Sequence, residues 1–357
     1  MRGKARGQLA FTLVEILVAL VLASAILAGA LYFMNVQIRS HRDALEVQTI
    51  QMGLRVGLEQ VLRDVRSASA GFSNGTVSIQ DGPVVTATGL STLPAVYLGP
   101  SPTSNASNTG AGGSDELSLI FADGRGVTNT TMDSSGVVTQ QTTPQTISVL
   151  DVRGFTATYP DNFVLISNAR DAILVRVTAV SMGSPGPGGT LTIGAMSTAS
   201  PFPGGIFPGG SLVLTAQAVT YRIDTTVFGT NEPALVRVRG GPLGITGYAD
   251  PLATQIEDFQ VALGYDGLGG GTTEGLITEN AAAGPNLDEW AFNVVGDTQT
   301  GAITALRAIR VTLVGRSVAP RSFGHQPLNI EDHTPSGTET YMRRRLTGVA
   351  SVRNLAL

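Results

Sequence analysis

The feature that most constrains this chain is an apolar run at positions 11–34, FTLVEILVALVLASAILAGALYFM. The hydrocarbon core of a bilayer is about 30 Å thick, and a helix rising ~1.5 Å per residue needs about 20 apolar residues to cross it. The run is long enough to do so as a single helix, and its only charged side chain is Glu15. A carboxylate at the centre of a bilayer costs roughly 2.5–3.5 kcal/mol on insertion scales, and less near an interface. A plain anchor has no use for such a group, so Glu15 is a candidate functional residue.

The ten residues ahead of the run, MRGKARGQLA, carry Arg2, Lys4 and Arg6 and no acid. Such a leader stays on the cytoplasmic side of a membrane. A secretory signal places its small-residue cleavage junction after a 7–15-residue apolar core. Here the small-residue junction, Leu9-Ala10-Phe11, precedes the apolar run, so a cut there removes the leader and keeps the helix. Arg39 and Arg42 follow the run on its far side.

FTLVEILVAL behind a short basic leader resembles the N-terminus of type IV prepilins and of the related type II secretion pseudopilins. The resemblance implies that a dedicated prepilin peptidase cuts between Ala10 and Phe11 and that the new amine of Phe11 is methylated. In that family the residue before the cut is usually Gly, and here it is Ala10. It also implies an assembly role for Glu15, in which its carboxylate meets the N-terminal amine of a neighbouring subunit and sets axial register. The physics agrees: a free α-amine ordinarily titrates at about 7.7–8.0 and is largely charged at neutral pH. An isolated ammonium and an isolated carboxylate are each costly in an apolar core, and pairing makes them tolerable.

Beyond the run, Val47, Ile50, Leu54, Leu58, Val61, Leu62 and Val65 follow helical spacing among Gln48, Gln51, Arg55, Gln60 and Arg63. This is one apolar stripe and one wet face. No proline interrupts residues 11–70, and Gly71 is the expected stop. Gly53 and Gly57, four apart, read as a place of close packing against a sheet. After Gly71 the texture changes to short apolar runs among Gly, Ser, Thr, Pro and Asn. Strands are expected at Leu117–Phe121, Thr146–Val152, Phe163–Ser167, Ile173–Val180, Leu212–Ile223, Leu235–Val238, Ile256–Gly264, Ala308–Gly315 and Arg343–Val352. Loops rich in Gly and Pro at Gly183–Thr190, Pro201–Ser211 and Gly264–Thr273 read as turns and mobile connections.

The expected fold class is therefore α+β and pilin-like, with a long N-terminal helix packed on a large, loop-rich, mainly antiparallel β head. The domain plan is a leader at 1–10, a helix at 11–70 whose residues 11–34 cross the membrane or enter a filament core, and a head at 71–357. In the head, Ser114-Asp115-Glu116-Leu117-Ser118-Leu119, Tyr221-Arg222-Ile223-Asp224 and Pro233-Ala234-Leu235-Val236-Arg237 occur in order. Gln255-Ile256-Glu257-Asp258-Phe259-Gln260-Val261, Ile309-Arg310-Val311-Thr312-Leu313-Val314 and Tyr341-Met342-Arg343-Arg344-Arg345-Leu346 follow. The set is similar to PilW-type minor pilins, themselves similar to J-type pseudopilins, and leaves 183–211 and 265–300 unmatched. Partners implied by the resemblance are other minor and major pilins, the prepilin peptidase, the inner-membrane assembly platform and a tip adhesin. It places the chain in the inner membrane, single-pass with its N-terminus cytoplasmic, before assembly and on the pilus or cell surface afterwards. The alternatives are a J-type pseudopilin of a type II secretion system and a signal-anchored extracytoplasmic binding or hydrolytic domain.

Enzymatic chemistry finds little support. The chain has no cysteine, so thiolate nucleophiles and thiolate metal sites are absent. Its three histidines, His41, His325 and His333, are too few and too scattered for a zinc site. Gly71-Phe72-Ser73-Asn74-Gly75 formally matches G-x-S-x-G but follows a helix, where a nucleophile elbow needs a preceding strand. No cofactor and no metal are expected. A net charge of −4 gives no broad basic surface for nucleic acid. The densest positive cluster is Arg343-Arg344-Arg345. Strand alternation leaves two of these arginines for solvent and one for an internal pair. The exposed two suit an acidic partner surface or phosphates.

Overall fold

The computed structural model describes residues 12–352 apart from residues 73, 103–105, 134–135, 169, 185, 230–231, 245–246, 271–272, 280–287, 298, 322–323, 328 and 336–337. A single helix, α1 (Leu13–Ser67), opens the described chain. The chain divides into two units, residues 1–49 and 50–357.

In the first unit every side chain from Thr12 to Arg42 is exposed, apolar ones included. An apolar stretch long enough to cross a bilayer and bare of protein cover calls for a lipid or a packed helical surround.

In the second unit α1 is a core element. Ile50, Leu54, Leu58, Val61, Leu62 and Val65 are buried, as the stripe predicts. Gly57 lies so close to the sheets that an added Cβ would come within 3.0 Å of Leu235 and 3.4 Å of Leu313. Gly53 meets Ala253 in the same way at 3.6 Å. The paired glycines thus let the helix backbone approach strands of both sheets. The helix stops earlier than the expected Gly71: Ser69 takes φ 64°, and its hydroxyl donates to the carbonyl of Phe72 at 2.7 Å. A left-handed non-glycine residue is uncommon, and here the buried hydroxyl and a backbone bond to Ile120 hold it.

Fifteen strands lie among the described residues. The first sheet contains β1 (Thr76–Ile79), β2 (Thr92–Pro94), β3 (Val96–Leu98), β4 (Leu117–Asn129), β5 (Gln145–Val149), β6 (Phe163–Ser167), β7 (Ala172–Met182), β8 (Gly189–Ile193), β9 (Leu212–Asp224), β10 (Ala234–Arg239) and β11 (Tyr248–Thr254). Its main order is β11-β10-β9-β6-β7-β1-β2, with β4 joining β9 to β3 and β8 joining β7 to β5. Its pairs are antiparallel except β1 with β7. The second sheet, β12 (Ile256–Tyr265), β13 (Trp290–Ala291), β14 (Leu306–Arg316) and β15 (Arg343–Ser351), runs β13-β12-β14-β15 and is antiparallel.

All nine expected strands are present; most ends shift by three residues or fewer, but β4 runs eight residues past the expected Phe121, with a register irregularity between Ala122 and Val127. Part of the first sheet is buried on both faces. Phe163 and Leu165 of β6 join the main core under α1, whereas Val164 and Ile166 join a second core with Ile147, Val177, Leu191 and Phe207. This second core corrects one loop expectation: Pro201–Ser211 is pinned by Phe207, which is fully buried and bridges to Val138. The expected loop Gly183–Thr190 likewise ends inside β8. A short helix, α2 (Gly82–Thr88), is capped by Asp81, whose carboxylate accepts from the amide of Val84 at 3.0 Å.

Two stability predictions follow from the α1 seat. Gly57→Leu overfills it and lowers unfolding free energy by about 1–3 kcal/mol. Leu54→Ala empties it and costs about 2–5 kcal/mol. Urea unfolding of the full chain in detergent, followed by tryptophan fluorescence, measures both.

Candidate functional site

Ala10 and Phe11 lie outside the described residues. The site becomes visible at Thr12, where the carboxylate of Glu15 accepts from the backbone amide of Thr12 at 2.9 Å and from its hydroxyl at 3.0 Å. In return the Thr12 hydroxyl accepts from the amide of Glu15 at 3.3 Å. This is a reciprocal capping box, which satisfies donors that a helix start otherwise leaves open. The signal was in the sequence, since Thr-x-x-Glu before an apolar run is that box's pattern.

The head motifs resolve into polar clamps between elements. Tyr221 on β9 and Arg237 on β10 are directly opposite in register. Both reach Asp64 of α1: the Tyr221 hydroxyl donates at 2.6 Å and the Arg237 Nε at 2.9 Å. Gln60 supplies a third donor to the carboxylate at 3.1 Å. Burial, then the Asp64 charge, push the Tyr221 hydroxyl far above its usual range. For Arg237, burial acts to lower the pKa, and the Asp64 carboxylate more than reverses it.

Beside this clamp opens a cleft of about 550 Å³ lined by charged side chains. Arg125 bonds Asp123 and, at 2.9 Å, Asp161; Arg239 bonds Asp161 at 3.1 Å and Asp250 at 2.8 Å. Gln217 donates to both Asp123 and Asp161. These groups satisfy one another, and no nucleophile paired with a base stands among them.

A second clamp joins the sheets. Asp115, just ahead of β4 and fully buried, donates its amide to the Phe259 carbonyl at 2.8 Å. Its carboxyl accepts from the amides of Val261 at 2.7 Å and Asn108 at 2.6 Å. Burial pushes its pKa up to about 8. Next to it, His333 Nδ1 lies 2.9 Å from Asp258, and this contact raises the His333 pKa in spite of burial. Phe259 and Val261 are buried in the core, while Glu257 and Asp258 pair at the start of β12.

The arginine cluster splits. Arg343 bonds Glu257, and the Tyr341 ring sits between Arg316 at 4.4 Å and Arg343 at 5.2 Å. Arg344 and Arg345 are exposed. No group of three or more metal-ligating side chains occurs among the described residues. The elbow-like Ser73 lies outside them.

These observations describe a bare apolar helix that continues as a core element of a mainly antiparallel β domain tied by buried ion pairs. Residues 220–354 match the family model described as type IV pilus-assembly protein W, PilW. The chain is thus PilW-like over the stretch from the end of β9 through β15, which contains Tyr221, Arg237, Asp258 and the three arginines. A search of curated proteins finds no match. Among solved structures, a type IV-like pilin from Thermus thermophilus is 12% identical, with 54% of this chain and 84% of that one covered and a TM-score of 0.23. A likeness that loose transfers no structural detail.

Asp64→Ala leaves Arg237 buried without its counter-charge and costs about 3–5 kcal/mol, whereas Asp64→Leu with Arg237→Met costs less than the single change. Chemical denaturation of the two variants checks the order. The Asp115 pKa sets a pH dependence. The folded carboxyl keeps its proton up to about 8, the unfolded one loses it near 3.8, so the folded state binds more protons in between. Stability therefore falls as pH rises through that window. His333, raised above 6.5, adds to the fall in the same direction. Unfolding midpoints measured across the window decline in the wild type and decline less in Asp115→Asn, which keeps only the His333 share.

Proposed function

We propose that this chain is a minor pilin that helps initiate or cap type IV pilus assembly. The observation that carries the reading is the FTLVE start on a bare apolar helix whose continuation is the spine of a PilW-like head. In this reading prepilin peptidase cuts between Ala10 and Phe11, and the amine of Phe11 is methylated. The subunit waits in the inner membrane as a single-pass protein with a cytoplasmic N-terminus. From there it meets other minor and major pilins at the assembly platform and passes to the cell surface, where a bulky head suits the tip and contact with an adhesin.

Glu15 then does two things. Its capping box starts the helix within the subunit, and its charge meets the N-terminal amine of a neighbour. The two roles separate by substitution, because a capping box accepts Gln at the third helical position as readily as Glu, while an ion pair does not.

The test is mass spectrometry of the N-terminus from membranes and from sheared surface filaments, for wild type, Glu15→Ala and Glu15→Gln. The wild type is expected as a chain beginning at N-methyl-Phe11 in the sheared fraction. Both variants are expected to be processed, to remain in the membrane and to be lost from filaments. Rescue by Glu15→Gln would reduce Glu15 to its cap. An intact leader with protein only in the membrane would overturn the pilin reading.

A further inference from the structure

The free edge of the second sheet combines three features that the clamps leave unused. β15 pairs with β14 alone among the described residues, so its other side presents unpaired backbone groups. Arg344 and Arg345, at the start of that edge, are exposed and have no acidic partner among the described residues, in contrast to Arg343. Both border a mainly apolar cavity of about 100 Å³ between the sheet and the segment that follows β14, walled by Val314, Pro327, Ile330 and Pro335. An engineered apolar cavity of ~150 Å³ takes a benzene ring, so this smaller one suits a single branched aliphatic side chain. Farther along the outer face, Val349 is 52% exposed.

We propose that this edge is a docking surface for an extended, acidic segment of a partner protein, which adds to the sheet as a further strand beside β15. Neighbouring side chains on a strand point to opposite faces. Arg345 lies on the outer face with Thr347, and Arg344 on the α1 face with Leu346, so two adjacent carboxylates on one added strand meet both arginines. An aliphatic residue next to them enters the cavity. Main-chain bonds supply affinity in strand addition, and alternate side-chain pockets supply specificity. The neighbourhood disfavours nucleic acid. The cavity is too small for a base. The proposal stands independently of the pilus reading, since it rests on the edge, the charges and the cavity alone.

A phage-displayed library of random short peptides, selected on the full chain in detergent micelles, tests it. Selected peptides are expected to carry adjacent carboxylates flanked by aliphatic residues. The tightest of them, labelled and measured by fluorescence anisotropy, is expected to weaken about tenfold or more with Arg344→Ala/Arg345→Ala and to weaken with added salt. Arg344→Glu/Arg345→Glu is expected to select basic peptides instead. Both arginines are exposed, so these variants keep the fold. Selection without acidic bias, failure to enrich any peptide, binding unchanged in the variants, or displacement of the peptide by a duplex oligonucleotide would each overturn the proposal.

Discussion

One buried carboxylate, Asp64, ties the helix to the head. It sits on the inward stripe of α1, three residues after Val61, and receives Tyr221, Arg237 and Gln60. Removing two charges from water is costly, and the cost is recovered only where the geometry is good and the remaining lone pairs are occupied. Three donors on one carboxylate meet that condition. The apolar stripe around it is non-directional and would tolerate a helix rotated or shifted along the sheets. The Asp64 clamp admits one register, because its two sheet partners are fixed opposite each other on β9 and β10. Rotation and axial position of the helix are thereby set by charge, and close approach by Gly53 and Gly57.

The same design recurs around β12. Asp115 bonds two backbone amides and donates its own, Asp258 holds His333, and Glu257 holds Arg343. Each clamp draws a residue from the sequence motifs. In this chain those motifs record where separate elements must be tied together.

Much of this was legible in the chain. The apolar stripe and nine of the fifteen strands among the described residues follow from periodicity, and the close glycines from their spacing. The rest was hidden for identifiable reasons. Strands β1, β2 and β3 hold three or four residues each, too short for alternation to register. Pro251 argues against a strand in β11, yet β11 is an edge with a register shift at its centre, where proline is accommodated. The Val-Val-Thr of α2 reads as β, and only the Asp81 cap and the proline behind it betray a helix. Asp64 and Asp115 look in sequence like any solvated acid. The available signal for Asp64 was an acid standing on the apolar stripe, and for Asp115 only the family-like Ser-Asp-Glu-Leu-Ser-Leu run, since one of its two partners, Val261, is more than a hundred residues away.

A helix that serves first as an anchor and then as the spine of a clamped head is useful only if the spine opens no sooner than the sheets it joins. Hydrogen–deuterium exchange on the full chain measures this directly, by comparing amides of residues 50–67 with those of β9, β10 and β12. The clamp account predicts that the helix amides exchange only with global unfolding, at the same opening free energy as the central strands. Exchange of residues 50–67 through an independent opening, orders of magnitude faster than the strands, would contradict it.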